Sequence, residues 1–309
     1  TRILLGQKNK TLQREQILRA PFLEIEMSSW LSNISVNLKL ALGFGLVLAL
    51  TCLMAISNWF SLGTLIDRSN WMTDITQLNS ALTNLRVARL QYMLTNGDES
   101  AAQNVQNNLE AFDAQQKQLL TTFKSPENLK LLTEQHDLIT RYQRALVAMR
   151  KAYVDSAVSR ERMDRSAKAT LADIATLDAL TLQRPASEEG RFEQYQAVTK
   201  VREQFLIARD LGRAYIASPS EATEQAAKSQ LAAATASLNG LNTFFSTGAA
   251  DTLRGLSDAM AEYTQALQVF TDTGNSIIER RKDMTDYGNG IVSRSTELYN
   301  IHLERRDTD

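Results

Sequence analysis

Turn-forming and reactive side chains are scarce in this sequence. Four prolines and thirteen glycines are spread over 309 residues, too few for a sheet protein rich in turns. With abundant Ala, Leu, Gln, Arg and Glu, that scarcity predicts long helices. A single cysteine, Cys52, excludes a disulfide within the chain. The two histidines, His136 and His302, belong to no Cys/His cluster with zinc-ligand spacing. There is no Gly-rich phosphate loop, no HExxH and no GxSxG. The expectation is therefore of no enzyme activity, no cofactor and no metal. A balanced net charge of -1 gives no reason to expect nucleic acid as a partner, since such binders carry a basic stripe.

What is present begins with one apolar run. Residues 40–66 carry no charge, with Lys39 before them and Asp67 after. Their heart, ALGFGLVLALTCLMAISNWF, can cross about 30 Å of hydrocarbon at about 1.5 Å per residue. Trp59 and Phe60 suit an interfacial aromatic belt, and Cys52 reads as membrane packing. A cleaved signal peptide has a shorter apolar region, about 7–15 residues, ending in small side chains; this run ends in Asn-Trp-Phe. A retained transmembrane helix over 40–61 is therefore expected. Arg2, Lys8, Lys10, Arg14, Arg19 and Lys39 precede it, which places the N-terminus in the cytoplasm and everything after Asp67 in the periplasm. Met27 opens a natural start, so residues 1–26 read as a leader foreign to the domain and 27–39 as the cytoplasmic N-terminus.

Breaks after the membrane segment fall at TNGDES (95–100), FKSPEN (123–128), RPASEEG (184–190), ASPSEA (217–222) and STGAAD (246–251). Proline ends or begins helices, and five breaks give six helices, about 62–96, 98–123, 127–183, 191–217, 220–245 and 250–306. The third and sixth are about twice as long as the others. The economical arrangement is all-α: two four-helix bundles stacked end to end, sharing the two long helices. Helices one and two complete the membrane-proximal bundle (about 62–152 plus 275–309). Helices four and five complete the distal one (about 153–274). Long helices need such a seam to bury.

The sixth helix supplies a heptad stripe: Leu253, Leu256, Met260, Tyr263, Leu267, Phe270, Gly274, Ile277, Arg281, Met284, Gly288, Ile291, Ser295, Leu298 and His302. Arg281 is its anomaly. In helix one the same stepping runs from Trp71, Ile75, Leu78, Leu82 and Leu85 to Arg89 and Tyr92, with Arg86 on an adjoining face. Arg86 lies about 25 residues, roughly 37 Å, above the membrane end of its helix. An equal count back along helix six reaches Arg281, and counting up helix three from residue 127 puts Thr140 to Arg144 at that level. Three arginines thus converge on one layer with no evident seam carboxylate. An arginine placed so must find an anion or carry a desolvation cost, and its planar fork matches a carboxylate in two contacts. Two or three arginines suit a di- or tricarboxylate, with phosphate or another compact anion also open.

A weak internal repeat at an offset of 123 pairs Arg86 with Arg209 and Tyr92 with Tyr215. It points to a second site in the distal bundle, around Arg209 with Arg213 nearby and Tyr263 across on helix six. One dominant arginine favours a monocarboxylate.

The stretches MSSWLSNISVNLKLALGFGLVLAL, DRSNWMTDITQLNSALTNLRVARLQYMLTNGD, TTFKSPEN and LYNIHLERRD resemble pseudomonad chemoreceptors with a helical bimodular sensor domain, which are methyl-accepting chemotaxis proteins. The resemblance implies an inner-membrane receptor whose proximal bundle binds acids of the malate, succinate or citrate class and whose distal bundle binds acetate. It maps the proximal arginines onto Arg86, Arg89 and Arg281, with Arg280 the neighbouring alternative, and the distal residues onto Arg209 and Tyr263. It further implies a lipid bilayer around the anchor, a weak homodimer and, in a full-length receptor that crosses the membrane again, a chemotaxis kinase and adaptor as partners. No second apolar run follows Ile66, so the expectation is of a piece that binds but does not report. A sensor domain of a histidine kinase, and a sensor that docks a periplasmic binding protein, are the alternative readings.

Overall fold

The computed structural model describes residues 35–245 and 247–307, with their side chains except at 61–69, 247 and 305–307. The expected leader and most of the cytoplasmic flank lie outside the described residues. The described residues are helical and contain no strand: α1 Val36–Leu94, α2 Glu99–Thr122, α3 Pro126–Gln183, α4 Arg191–Ala217, α5 Glu221–Leu241, a 3-10 turn Thr247–Ala249 and α6 Ala250–Asp307. The chain divides into two compact units, Thr1–Trp71 and Met72–Asp309.

In the first unit, Val36–Phe60 has a mean hydropathy of 2.3 over its most apolar stretch and none of that stretch is buried. Helix satisfies every backbone group internally, and the bare apolar side chains are what lipid would cover. Cys52 is exposed among them. The helix starts a turn earlier than the uncharged run, taking in Lys39.

In the second unit the breaks are chemical. Gly97, at φ +85°, turns the chain between α1 and α2, where a Cβ would run into the Tyr153 ring. Asp98 then caps α2 by accepting from the Ala101 N–H at 2.8 Å. Pro126 opens α3, where its missing N–H is not needed. Gly190 at φ +78° precedes α4, and Ser220 with Thr223 forms a reciprocal capping box on α5. The α5 helix stops at Leu241, short of the expected 245. Gly240 weakens the last turn, and its carbonyl accepts from the Thr243 hydroxyl at 2.9 Å.

Four helices contribute to one continuous core: Met163 and Ile174 of α3, Val198 and Phe205 of α4, Leu231 and Leu238 of α5, and Leu256, Met260 and Tyr263 of α6. Lower down, Ile75 and Leu85 of α1, Leu109 and Phe112 of α2, Leu132 and Ile139 of α3, and Met284 and Ile291 of α6 are all buried. Buried amides cross-link this region. Gln135 donates to the Ile291 carbonyl at 3.1 Å and to Ser295 Oγ at 2.7 Å, and Gln116 donates to the Leu132 carbonyl. The α6 stripe is buried from Leu253 to Phe270 and again from Met284 to Leu298. It is interrupted between them, where Gly274 and Ile277 are half-buried and Arg281 is exposed.

Candidate functional site

The α1 stripe brings Arg89 to the edge of the core, one turn beyond buried Leu85 and one before buried Tyr92. Its half-buried guanidinium donates from Nη1 to the Met284 carbonyl of α6 at 3.2 Å. The approach depends on Gly288, since a Cβ there would collide with Arg89 Nη1. The same Cβ would lie 3.6 Å from Cε2 of Tyr142 on α3. Three helices therefore meet at one glycine, with a cation and a phenol side by side. Among the described residues, the partner recorded for the Arg89 side chain is that neutral carbonyl. Burial pushes the Tyr142 hydroxyl well above the usual tyrosine range, opposed by the Arg89 charge.

One turn higher, Arg281 donates from Nη2 to the Tyr153 hydroxyl at 3.3 Å. The Tyr153 ring meets the buried Tyr92 ring edge-on, with centroids 6.1 Å apart. Burial and the neighbouring Tyr153 raise Tyr92 to about 12, against the opposing charges of Arg150 and Arg281. Arg281 thus stands at the exposed margin of the seam rather than within it. Arg86 is also exposed. Of the three arginines expected to converge on one layer, Arg89 alone is half-buried, while Arg86 and Arg281 are exposed.

Arg280 is differently engaged, because Glu279 and Asp283 hold it at 2.6 and 2.8 Å. Here seam-side carboxylates do neutralise an arginine, which a reading that looked only at the inward stripe missed. Thr140 is half-buried, and its hydroxyl donates to the His136 carbonyl of its own helix at 3.1 Å.

In the distal half, Arg209 lies 3.7 Å from Asp164 of α3, and Arg213 lies 4.0 Å from Asp210. Tyr263 is buried with its ring edge-on to Phe205, centroids 5.6 Å apart. Its hydroxyl fills the space a Cβ would take at Gly212. Burial raises the Tyr263 hydroxyl above its ordinary range, while the charges of Arg209 and Arg213 pull the other way. The three expected distal residues are thus within electrostatic reach of one another. Tyr215 donates to or accepts from Thr271 Oγ1 at 3.0 Å.

The model of the family described as the helical bimodular sensor domain matches residues 59–309. The chain belongs to this family. It is similar to the methyl-accepting chemotaxis protein McpS of Pseudomonas putida, 48% identical over 92% of this chain and 44% of McpS. It is also similar to the methyl-accepting chemotaxis protein McpQ of the same organism, 28% identical over 84% of this chain and 42% of McpQ. The chain thus spans less than half the length of these curated relatives.

Within this helical bimodular domain, Tyr142, Gly288 and Gly212 shape the two arginine environments, although no single motif marks them. A signal did exist. Tyr142 follows Leu132, Gln135 and Ile139 on the buried stripe of α3, within the span level with Arg86. Gly288 and Gly212 stand where the α4 and α6 stripes call for large side chains.

Proposed function

We propose that this chain is the sensing part of a transmembrane chemoreceptor, and that its helical domain binds small carboxylates outside the cytoplasm. The observation that carries the reading is Arg89: a half-buried cation seated on α6 with a neutral carbonyl as its partner among the described residues. Arg280, by contrast, has two carboxylates of its own. A half-buried cation without an anion favours one, and a di- or tricarboxylate can span from Arg89 toward Arg86 and Arg281, with Thr140 and Arg280 at the margin. Membership of a sensor family over residues 59–309 and likeness to two methyl-accepting chemotaxis proteins support the receptor role.

The same reading divides the helical domain into two stacked four-helix bundles that share α3 and α6. The continuous core drawn from α3, α4, α5 and α6, and the interruption of the α6 stripe at 274–281, support that division. The distal half takes a monocarboxylate such as acetate around Arg209, Arg213 and Tyr263. Arg209 is less starved of an anion than Arg89, so distal binding is the weaker of the two. The apolar helix anchors the domain in the bacterial inner membrane. In a complete receptor that crosses the membrane again, a weak homodimer would pass the signal to a chemotaxis kinase and adaptor.

Calorimetric titration of the chain in lipid nanodiscs with succinate, malate, citrate and acetate tests the proposal. Saturable binding of at least one di- or tricarboxylate, lost in Arg89→Ala, is the expected result. Heats indistinguishable from dilution for all four acids would overturn it.

A further inference from the structure

The buried tyrosines of this domain are not alike. Tyr215 shares a hydrogen bond with Thr271, so its hydroxyl has a structural purpose. Tyr142 is 1% exposed, and its hydroxyl is shut off from solvent with no hydrogen-bond partner among the described residues. Leaving a buried hydroxyl unsatisfied costs stability. Phenylalanine would fill nearly the same volume without that cost. Stability alone therefore gives no reason for tyrosine at this position.

Its surroundings give one. The Tyr142 ring edge and the Arg89 guanidinium pack against the same glycine, Gly288, and the Arg89 charge acts on the Tyr142 hydroxyl. A tyrosine whose hydroxyl has no acceptor among the described residues and a cation with a neutral partner thus pack against one glycine between α1, α3 and α6. Among the described residues the phenol has no acceptor and the guanidinium no negative partner. A water molecule would satisfy the first and leave the second unmet. An ionised carboxylate meets both demands, because it has two oxygens and only accepts.

We propose that the Tyr142 hydroxyl is a ligand-reading donor of the proximal site, donating to an oxygen of the carboxylate that pairs with Arg89. This rests on the carboxylate-binding reading above and adds to it a residue that the arginine pattern does not contain. Arg89 donates to the Met284 carbonyl, and the Tyr142 hydroxyl has no protein acceptor among the described residues, so a carboxylate oxygen would give it one.

The test compares Tyr142→Phe with wild type, using Tyr215→Phe as the tyrosine whose hydroxyl is structurally engaged. Succinate and L-malate are the probes, and the whole chain in nanodiscs is the sample. For Tyr142→Phe the unliganded melting temperature should hold or rise, while succinate binding weakens about tenfold, as expected for losing a hydrogen bond to a charged group. Tyr215→Phe should show the reverse pattern, a lower melting temperature with succinate affinity within about twofold of wild type. Wild-type succinate and malate affinity in Tyr142→Phe would overturn the proposal. So would a melting temperature that falls as far as in Tyr215→Phe, since the hydroxyl would then be structural. If wild type itself binds neither probe, the carboxylate reading falls first and this proposal with it.

Discussion

A methyl group placed at Gly288 separates folding from binding in one substitution. In Gly288→Ala the new Cβ stands where Arg89 Nη1 now lies, and 3.6 Å from Tyr142 Cε2, an ordinary contact. The obstructed atom is the tip of a long flexible side chain, so Arg89 swings away and the backbone stays. Alanine in place of glycine inside a helix gains about 1 kcal/mol. Losing the bond from Arg89 to the Met284 carbonyl costs about 1–2 kcal/mol for a charged donor at a partly exposed position. The two nearly cancel, and the denaturation midpoint should move little. Binding has no such compensation. A guanidinium pushed out of its notch forfeits a desolvated charge contact worth about 2 kcal/mol or more, roughly thirtyfold in affinity. Paired urea denaturation and succinate calorimetry on wild type and Gly288→Ala measure both quantities. A variant that keeps wild-type succinate affinity would refute the reasoning, because Arg89 could then serve the ligand from outside the notch.

Three further outcomes follow from the structure. Gly274→Ala on α6, where a Cβ would meet nothing within 4 Å, should raise unfolding free energy by about 0.5–1 kcal/mol, read by chemical denaturation; a loss of stability would show that the glycine has a conformational purpose. Arg209→Ala should abolish the acetate response and leave the succinate response intact, as judged by calorimetry; loss of both would make Arg209 and its Asp164 contact structural. Burial raises Tyr92 to about 12, above the ordinary tyrosine value of 10.0, so the folded state disfavours the ionised form. Its contribution to stability is therefore complete below pH 10 and is lost as pH rises through about 12. Tyr92→Phe should flatten the fall in melting temperature over that window, and an unchanged profile would mean that other groups govern it.

The helical plan was legible because its punctuation is local. Proline at 126, the Asp98 cap and the Ser220 box each stop or start a helix within a few residues, so five breaks located the ends to within a residue or two. The exception was α5, ended by Gly240 and Thr243 rather than by the STGAAD stretch. Heptad stepping found the buried stripe of α6, but it carried the stripe straight through 274–281. A repeat of hydrophobic spacing cannot say that Gly274 and Ile277 are only half-buried and Arg281 exposed. The candidate arginines stood out because a cation on an apolar stripe is conspicuous, although Arg86 and Arg281 prove exposed. Their partners did not, since Glu279 and Asp283 reach Arg280 from neighbouring positions off the stripe, and Asp164 reaches Arg209 from another helix. Tyr142 looked like any core aromatic. Only three-dimensional placement shows its hydroxyl without an acceptor among the described residues and its ring against the same glycine as Arg89.

The most direct test of the central claim is succinate calorimetry on wild type and Arg89→Ala, with Arg280→Ala as the comparison. Arg280 already has Glu279 and Asp283, so its removal should weaken binding only about threefold or less, whereas Arg89→Ala should cost about 2–5 kcal/mol and leave no measurable heat. Succinate bound equally well by wild type and Arg89→Ala would contradict the account.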